Sequence, residues 1–317
     1  MKAILCAQYM DPSDLKLEDI PKPTPKEDEL LIKIRATAIN DFDWSLVTGK
    51  PFVYRLLFGL TKPKIKIPGI ELSGVVEAIG KNIRKFKVGD EIYGDISNDK
   101  WGSFAEYICV KEDTMCHKPT TMTFEQAAAI SHASMLAWQG LIDVGDLKNG
   151  LKILINGAGG GMGTFGYQIA RQFETEITGV DTGDKLKMME SLGFDHIIDY
   201  KKEDFTKNGN KYDLILDAKT TRSPGAYQRS LKPGGQYVTV GGSVKRMIQI
   251  VFSKVMGRKN IHIVGLKQNK DLAKINDLFE EGKVVPVIDG PYSMSEIPKL
   301  LAYFGAGKHT GKIVISM

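Results

Sequence analysis

One stretch constrains this chain more than any other: Ile153-Leu154-Ile155-Asn156-Gly157-Ala158-Gly159-Gly160-Gly161-Met162-Gly163-Thr164-Phe165-Gly166. An apolar strand runs into a glycine cluster, and a helical pattern follows. Ala158-x-Gly160-x-x-Gly163 is the A-x-G-x-x-G form of the dinucleotide fingerprint. Its glycines allow a tight turn, a close approach of backbone to a pyrophosphate, and close packing of helix on sheet. The helix start presents free N–H groups and a positive dipole end to that anion. Ala158, Gly159, Gly160, Gly161, Met162 and Gly163 are therefore the expected pyrophosphate-binding residues. Context strengthens a motif that is weak alone. Strands are predicted at 152–156, 176–181, 196–200, 213–217, 236–241 and 261–266, with helix-length segments such as 164–173 and 184–192 among them. Such alternation predicts a parallel sheet with helices on both faces and right-handed crossovers, the doubly wound Rossmann α/β class.

The second predicted strand ends at Asp181, about 20 residues beyond the glycine turn, where a carboxylate can accept from adenosine ribose hydroxyls and repel a 2′-phosphate. Lys185 argues the other way, because an ammonium can pair with that phosphate. The expected cofactor is NADP or NAD, with the choice open.

Residues 1–123 have a different character. Leu30–Ala36, Leu72–Gly80, Val88–Gly94 and Phe104–Val110 are short runs of strand formers bounded by Gly, Pro and charge, which suggests a compact β-rich barrel rather than βαβ units. Thr123, with Gln126 three residues on, is a helix-start signature. After 266 come an amphipathic helix at 270–281, the apolar run 284–288, a helix near 295–304 and a last strand at 312–316, in the style of the first domain. The expected division is 1–123 with 267–317 as one discontinuous domain, and 124–266 as the dinucleotide-binding domain.

At 317 residues the chain exceeds what one core supports, in keeping with two domains. No apolar run approaches the roughly 18–20 residues that cross a bilayer. A net charge of +5, from 43 basic and 38 acidic residues, is too mild to imply nucleic acid. Neither a membrane nor a nucleic-acid partner is expected. Cys6, Cys109 and Cys116 form no disulfide framework, and Cys116-His117 lacks further ligands at metal spacing. The start of the chain lacks a signal layout, and the expected compartment is the cytoplasm.

Further segments carry a resemblance: Ala38-Ile39-Asn40-Asp41-Phe42-Asp43-Trp44, Pro68-Gly69-Ile70-Glu71-Leu72-Ser73-Gly74-Val75-Val76, Gly102-Ser103-Phe104-Ala105-Glu106-Tyr107, Ile198-Asp199-Tyr200, and Lys308-His309-Thr310-Gly311-Lys312-Ile313-Val314. With the glycine turn, they make the whole chain resemble a medium-chain dehydrogenase/reductase of the zinc-free, quinone-oxidoreductase-like branch. The resemblance implies a GroES-like barrel domain beside the Rossmann domain, and a homodimer paired through the strand Ile261–Leu266. Zinc-dependent relatives hold the metal with a cysteine where this chain has Asn40 and a histidine where it has Ile70, so no metal is expected. Further cofactor contacts are implied at Tyr200, at Val240, Gly241, Gly242 and Ser243, and at Val264, Gly265 and Leu266. Tyr200 and Lys185 match positions that NADPH-using relatives apply to the 2′-phosphate, whereas Asp181 departs from their pattern.

The implied reaction is hydride transfer from NAD(P)H to a small quinone or α,β-unsaturated carbonyl compound, with hydrogen-bond donors rather than a Lewis acid stabilising the developing oxyanion. Asn40 is the first candidate for orienting nicotinamide or substrate, with Asp43 supporting it. His132 is a candidate general acid, with solvent protonation the default, and Tyr54 and Tyr93 are candidate pocket phenols. A zinc-free alcohol or aldehyde dehydrogenase, and a non-catalytic NAD(P)H-binding protein, remain as alternatives.

Overall fold

Gly, Pro and charged pairs cut the apolar runs of the N-terminal part into short strands. A computed structural model describes residues 1–317 and places there β1 (Lys2–Leu5), β2 (Lys16–Asp19), β3 (Glu29–Ala38), β4 (Glu71–Ile79), β5 (Glu91–Asp95), β6 (Tyr107–Lys111) and β7 (Cys116–His117). Three short helices accompany them: α1 (Asp41–Thr48), α2 (Tyr54–Phe58) and α3 (Phe124–Ile130). From residue 133 the rhythm changes to α4 (Ala133–Trp138), β8 (Lys152–Asn156), α5 (Gly161–Ala170), β9 (Glu176–Asp181), α6 (Lys185–Leu192), β10 (His196–Asp199) and β11 (Tyr212–Asp217). It continues through α7 (Pro224–Arg229), β12 (Leu231–Thr239), α8 (Val244–Val255), β13 (Ile261–Ile263) and α9 (Leu272–Glu280), and ends with β14 (Ile288–Ser293), α10 (Ile297–Gly305) and β15 (Lys312–Ser316).

The chain forms two bodies. The first comprises 1–132, 268–276 and 288–317, the second 133–267 and 277–287. The expected boundary at 123/124 moves to 132/133 because α3 packs on the first body's sheet. Ala128 and Ala129 lie against Ala36 and Ala38 of β3 and Val314 of β15, small side chains that let helix and strands approach closely. Thr123 caps this helix as its sequence implies, accepting from the Gln126 N–H while the Gln126 side chain accepts from the Thr123 N–H.

In the first body the sheet runs β14-β15-β3-β4-β5-β7, with β6 also paired to β3. The central strand β3 is antiparallel to β4, β6 and β15, and the returning tail adds two strands to a sheet begun by the N-terminal part. Leu30, Ile32, Ile34, Leu72, Val76, Ile92 and Val110 form one core, and Ile4, Phe104, Leu301, Ile313 and Ile315 another. The apolar run 284–288 leads into β14, which begins at Ile288.

In the second body six parallel strands run β10-β9-β8-β11-β12-β13, with Leu154, Val180, Ile198, Ile215 and Tyr237 in the core. This is the doubly wound order, in which ligands bind outside the carboxyl ends of the strands. The edge strand β13 is shorter than expected, ending at Ile263 rather than Leu266. No helix is long and apolar enough to cross a membrane.

Candidate active site

The glycine turn after β8 adopts the geometry its sequence demands. Gly157 has φ +87°, a left-handed value that favours glycine. A Cβ on Gly163 would lie 2.3 Å from the Gly157 carbonyl oxygen and 2.5 Å from the Ala158 Cα, so only glycine lets α5 start so close to the turn. Gly160 differs: its nearest neighbour to a built Cβ is 3.6 Å away, and beside Gly241 and Gly265, at the carboxyl ends of β12 and β13, nothing lies within 4 Å. The turn is closed where helix meets sheet and open where a ligand would approach. With the acceptor-free amides of the first turn of α5, these residues fit the diphosphate of a dinucleotide.

Asp181, at the end of β9, is committed to the turn itself. Its Oδ2 accepts from the Gly159 N–H at 2.9 Å and its Oδ1 from the Thr182 N–H at 3.0 Å. The Lys185 ammonium lies 3.7 Å from Oδ1, and both side chains are buried. Burial pulls the Lys185 ammonium below its ordinary value, with Asp181 working against that and the neighbouring Lys219 with it. A Cβ on Gly159 would strike the Lys185 side chain at 2.5 Å, which explains glycine there. Lys219, unanticipated from sequence, lies over Gly157.

The other expected cofactor residues sit at the carboxyl edge. Tyr200 follows β10, half exposed, its N–H donating to the Asp181 carbonyl oxygen. Val240, Gly241, Gly242 and Ser243 follow β12, and Val264, Gly265 and Leu266 follow β13. Gly242 is needed for packing, since a Cβ would meet Thr220 at 2.4 Å.

The first body gathers Asn40, Asp43 and His132 around Glu71, a carboxylate whose importance the sequence did not disclose. Glu71 opens β4 and is fully buried. Its Oε1 accepts from Asn40 Nδ2 at 2.8 Å and from Lys312 Nζ; its Oε2 accepts from Ser131 Oγ at 3.0 Å and the His132 N–H at 2.9 Å. Lys312, at the start of β15, also donates to Asn40 Oδ1 at 2.6 Å. Asp43 holds the loop ends: one oxygen accepts from the Asn40 N–H at 2.8 Å and the other from the Gly69 N–H at 2.9 Å. Burial pushes the Asp43 carboxyl up to about 7, against the pull of those two N–H groups.

The His132 ring makes a second pair. Nδ1 lies 2.6 Å from Asp95 Oδ2, and Asp95 is held by Gln268 and by Asn269, whose Oδ1 accepts the Asp95 N–H at 3.1 Å. Burial alone would lower the imidazole, but the Asp95 carboxylate beside it carries it above its ordinary value. Phe42 meets this ring edge-on, with centroids 6.3 Å apart, and Trp101, Tyr54 and Phe58 extend the cluster into an aromatic wall. Tyr54 belongs to that wall. Tyr93 is fully buried, with its hydroxyl donating to Asn276.

Zinc has no donor set here. Ile70 is buried and apolar, the Asn40 amide is shared by Glu71 and Lys312, and the Glu71 carboxylate already accepts from four donors. No group of three His, Cys, Asp or Glu side chains is placed to hold a metal ion, and Cys6, Cys109 and Cys116 are free thiols.

A barrel-type first body, a doubly wound second body and an open glycine turn define a nicotinamide-dependent oxidoreductase of the two-domain dehydrogenase/reductase class. Comparison with known proteins agrees. An alcohol dehydrogenase GroES-like domain matches residues 26–120, and a zinc-binding dehydrogenase domain matches 192–315. The chain is 34% identical to a 2-methylene-furan-3-one reductase of Solanum lycopersicum, covering 99% of this chain and 79% of that protein. It is 32% identical, with the same coverage, to a chloroplastic NADPH-dependent alkenal/one oxidoreductase of Arabidopsis thaliana. The solved quinone oxidoreductase of Coxiella burnetii superposes with a TM-score of 0.88 at 26% identity, covering 100% of this chain and 99% of that one. The chain belongs to the quinone-oxidoreductase-like branch of the medium-chain dehydrogenases/reductases.

Proposed function

We propose that this enzyme uses NADPH to reduce the carbon–carbon double bond of α,β-unsaturated carbonyl compounds, and quinones by the same chemistry, without zinc. The observation that carries this reading is the Asn40–Glu71–Lys312 network, built around the residue that by resemblance stands where zinc-dependent relatives have a cysteine ligand, Asn40. A simple carbonyl needs a strong electrophile to accept hydride, whereas a conjugated acceptor spreads the incoming charge over its own oxygen. The glycine turn would hold the diphosphate of a reduced nicotinamide dinucleotide, which would supply the hydride that the β-carbon accepts. The chain's residues then serve the proton and the substrate. Asn40 is fixed at the start of α1, with Asp43 holding its backbone, to orient nicotinamide or substrate. His132, oriented by Asp95 through Nδ1, keeps Nε2 for delivering a proton to the α-carbon. The aromatic wall of Phe42, Tyr54 and Trp101 suits a planar, conjugated acceptor.

NADPH is favoured over NADH because Asp181 spends its oxygens on the turn and is offset by Lys185, with Lys219 adding positive charge nearby. The name of the Arabidopsis relative, an NADPH-dependent alkenal/one oxidoreductase, points the same way. The exposed ladder of the edge strand β13 supports a homodimer, and three free thiols suit a reducing compartment such as the cytoplasm.

The test is kcat/KM over a panel of enones, quinones and aldehydes with each reduced dinucleotide. Enones and quinones should lead with NADPH. Aldehyde turnover equal to that of enones would favour an alcohol dehydrogenase, and tight binding without turnover a non-catalytic role. Lys185→Met should weaken NADPH by about tenfold, or roughly 1.4 kcal/mol, and leave NADH within about twofold.

A further inference from the structure

Helix α8 is apolar on two sides: Ile250 and Met247 pack on the core of the second body, and a second apolar face is exposed. Ile250 faces the core, while Ile248, Val251, Phe252, Val255 and Met256 are exposed, from 51% for Val251 to 78% for Val255. At 100° per residue, Ile248, Val251, Phe252 and Val255 share one arc with Val244, and Lys245 and Lys254 border that arc on either side. Arg258 and Lys259 follow directly after the helix.

The charge of the surrounding chain is equally one-sided. From Ala218 to Lys270 there is no aspartate or glutamate, against eleven lysines and arginines, in a protein whose net charge is only +5. An exposed apolar face of this size needs an occupant. A second copy of the same face fits poorly, because a two-fold contact would bring together two patches framed by Lys245, Lys254, Arg258 and Lys259, with no carboxylate between Ala218 and Lys270 to offset them. An apolar arc framed by cations is the surface of a helix that lies in the headgroup layer of an anionic bilayer.

We propose that α8 docks this enzyme reversibly on anionic lipid surfaces, Ile248, Phe252 and Val255 entering the acyl boundary and Lys254, Arg258 and Lys259 pairing with headgroups. This departs from the expectation of no membrane partner, which rested on the lack of a spanning segment. A helix that lies on a membrane needs no such segment.

The experiment is flotation of the whole protein with vesicles of phosphatidylcholine alone, or with a quarter phosphatidylglycerol, at low and high salt. The wild type should float with the anionic vesicles at least about tenfold more than with neutral ones, and detach at high salt. Ile248→Ser with Phe252→Ser, and separately Lys254→Gln with Arg258→Gln and Lys259→Gln, should each abolish flotation with an unchanged melting temperature. In Phe252→Trp, emission should shift to the blue on anionic vesicles and be quenched by brominated lipid. Three results would overturn the proposal: no flotation on anionic vesicles, flotation indifferent to Phe252→Ser, or a dimer in light scattering that Phe252→Ser converts to monomer. The last would make the face a subunit contact.

Discussion

Replacing Lys312 by methionine isolates the network on which the site is built. Methionine keeps most of the side-chain volume and removes the ammonium that contacts Glu71 and donates to Asn40 Oδ1 at 2.6 Å. Glu71 is fully buried and Lys312 nearly so, so no water can take over. The carboxylate would keep Asn40, Ser131 and the His132 N–H, all neutral donors. Removing one partner of a buried pair costs about 3–5 kcal/mol, because it leaves the other charge uncompensated. Glu71→Gln alone should fall in the same range, since it strands the Lys312 ammonium. The double variant Glu71→Gln, Lys312→Met should lie within about 2 kcal/mol of wild type, as neither charge is left behind. Urea denaturation of the four proteins gives the coupling directly. Additive losses, or a Lys312→Met loss below about 1 kcal/mol, would show that the two charges are not paired in the folded protein and refute the reasoning.

Two glycines of the turn should respond oppositely to alanine. Gly163→Ala forces a Cβ within 2.3 Å of backbone and should lower both melting temperature and NADPH affinity, whereas Gly160→Ala, with 3.6 Å of room, should keep the melting temperature and weaken NADPH by about tenfold in fluorescence titration. The His132–Asp95 pair makes a pH prediction. Because the folded imidazole is raised above 6.5, its contribution to stability is complete below that value and is lost as pH climbs through the folded value. Denaturation at a series of pH values from about 6 to 9 should show that loss in the wild type. In Asp95→Asn, burial, the largest influence on the ring, outweighs the Glu71 carboxylate and is helped by Lys312, so stability should instead rise with pH through the unfolded value. Heteronuclear NMR should find the His132 ring losing its proton at higher pH in wild type than in Asp95→Asn.

The parts legible in the sequence were those that local chemistry dictates. A glycine cluster after an apolar strand announces both a turn and its ligand, and Gly157 and Gly163 do what their spacing implies. Thr123 and Gln126 cap α3 as written. Less visible were features that depend on what meets in space. Nothing local assigns α3 to the first body, because alanines fit many partners and only Ala36, Ala38 and Val314 show which surface they cover. Glu71 and Lys312 lie 241 residues apart, and each is merely a charge at the start of an apolar strand until the sheet brings them together. A signal existed, since a lone carboxylate leading Leu72-Ser73-Gly74-Val75 needs a buried partner, but not its identity. The position of Asp181 alone suggests a ribose acceptor, and its hydrogen bonds to Gly159 and Thr182 and its charge pairing with Lys185 become visible only in three dimensions.

Tracing the label from NADPH deuterated at both C4 positions tests the central claim most directly. With a simple enone, NMR of the product should place deuterium on the β-carbon of a saturated ketone. Deuterium on the carbonyl carbon of an alcohol, or no transfer while the dinucleotide is bound, would contradict the account.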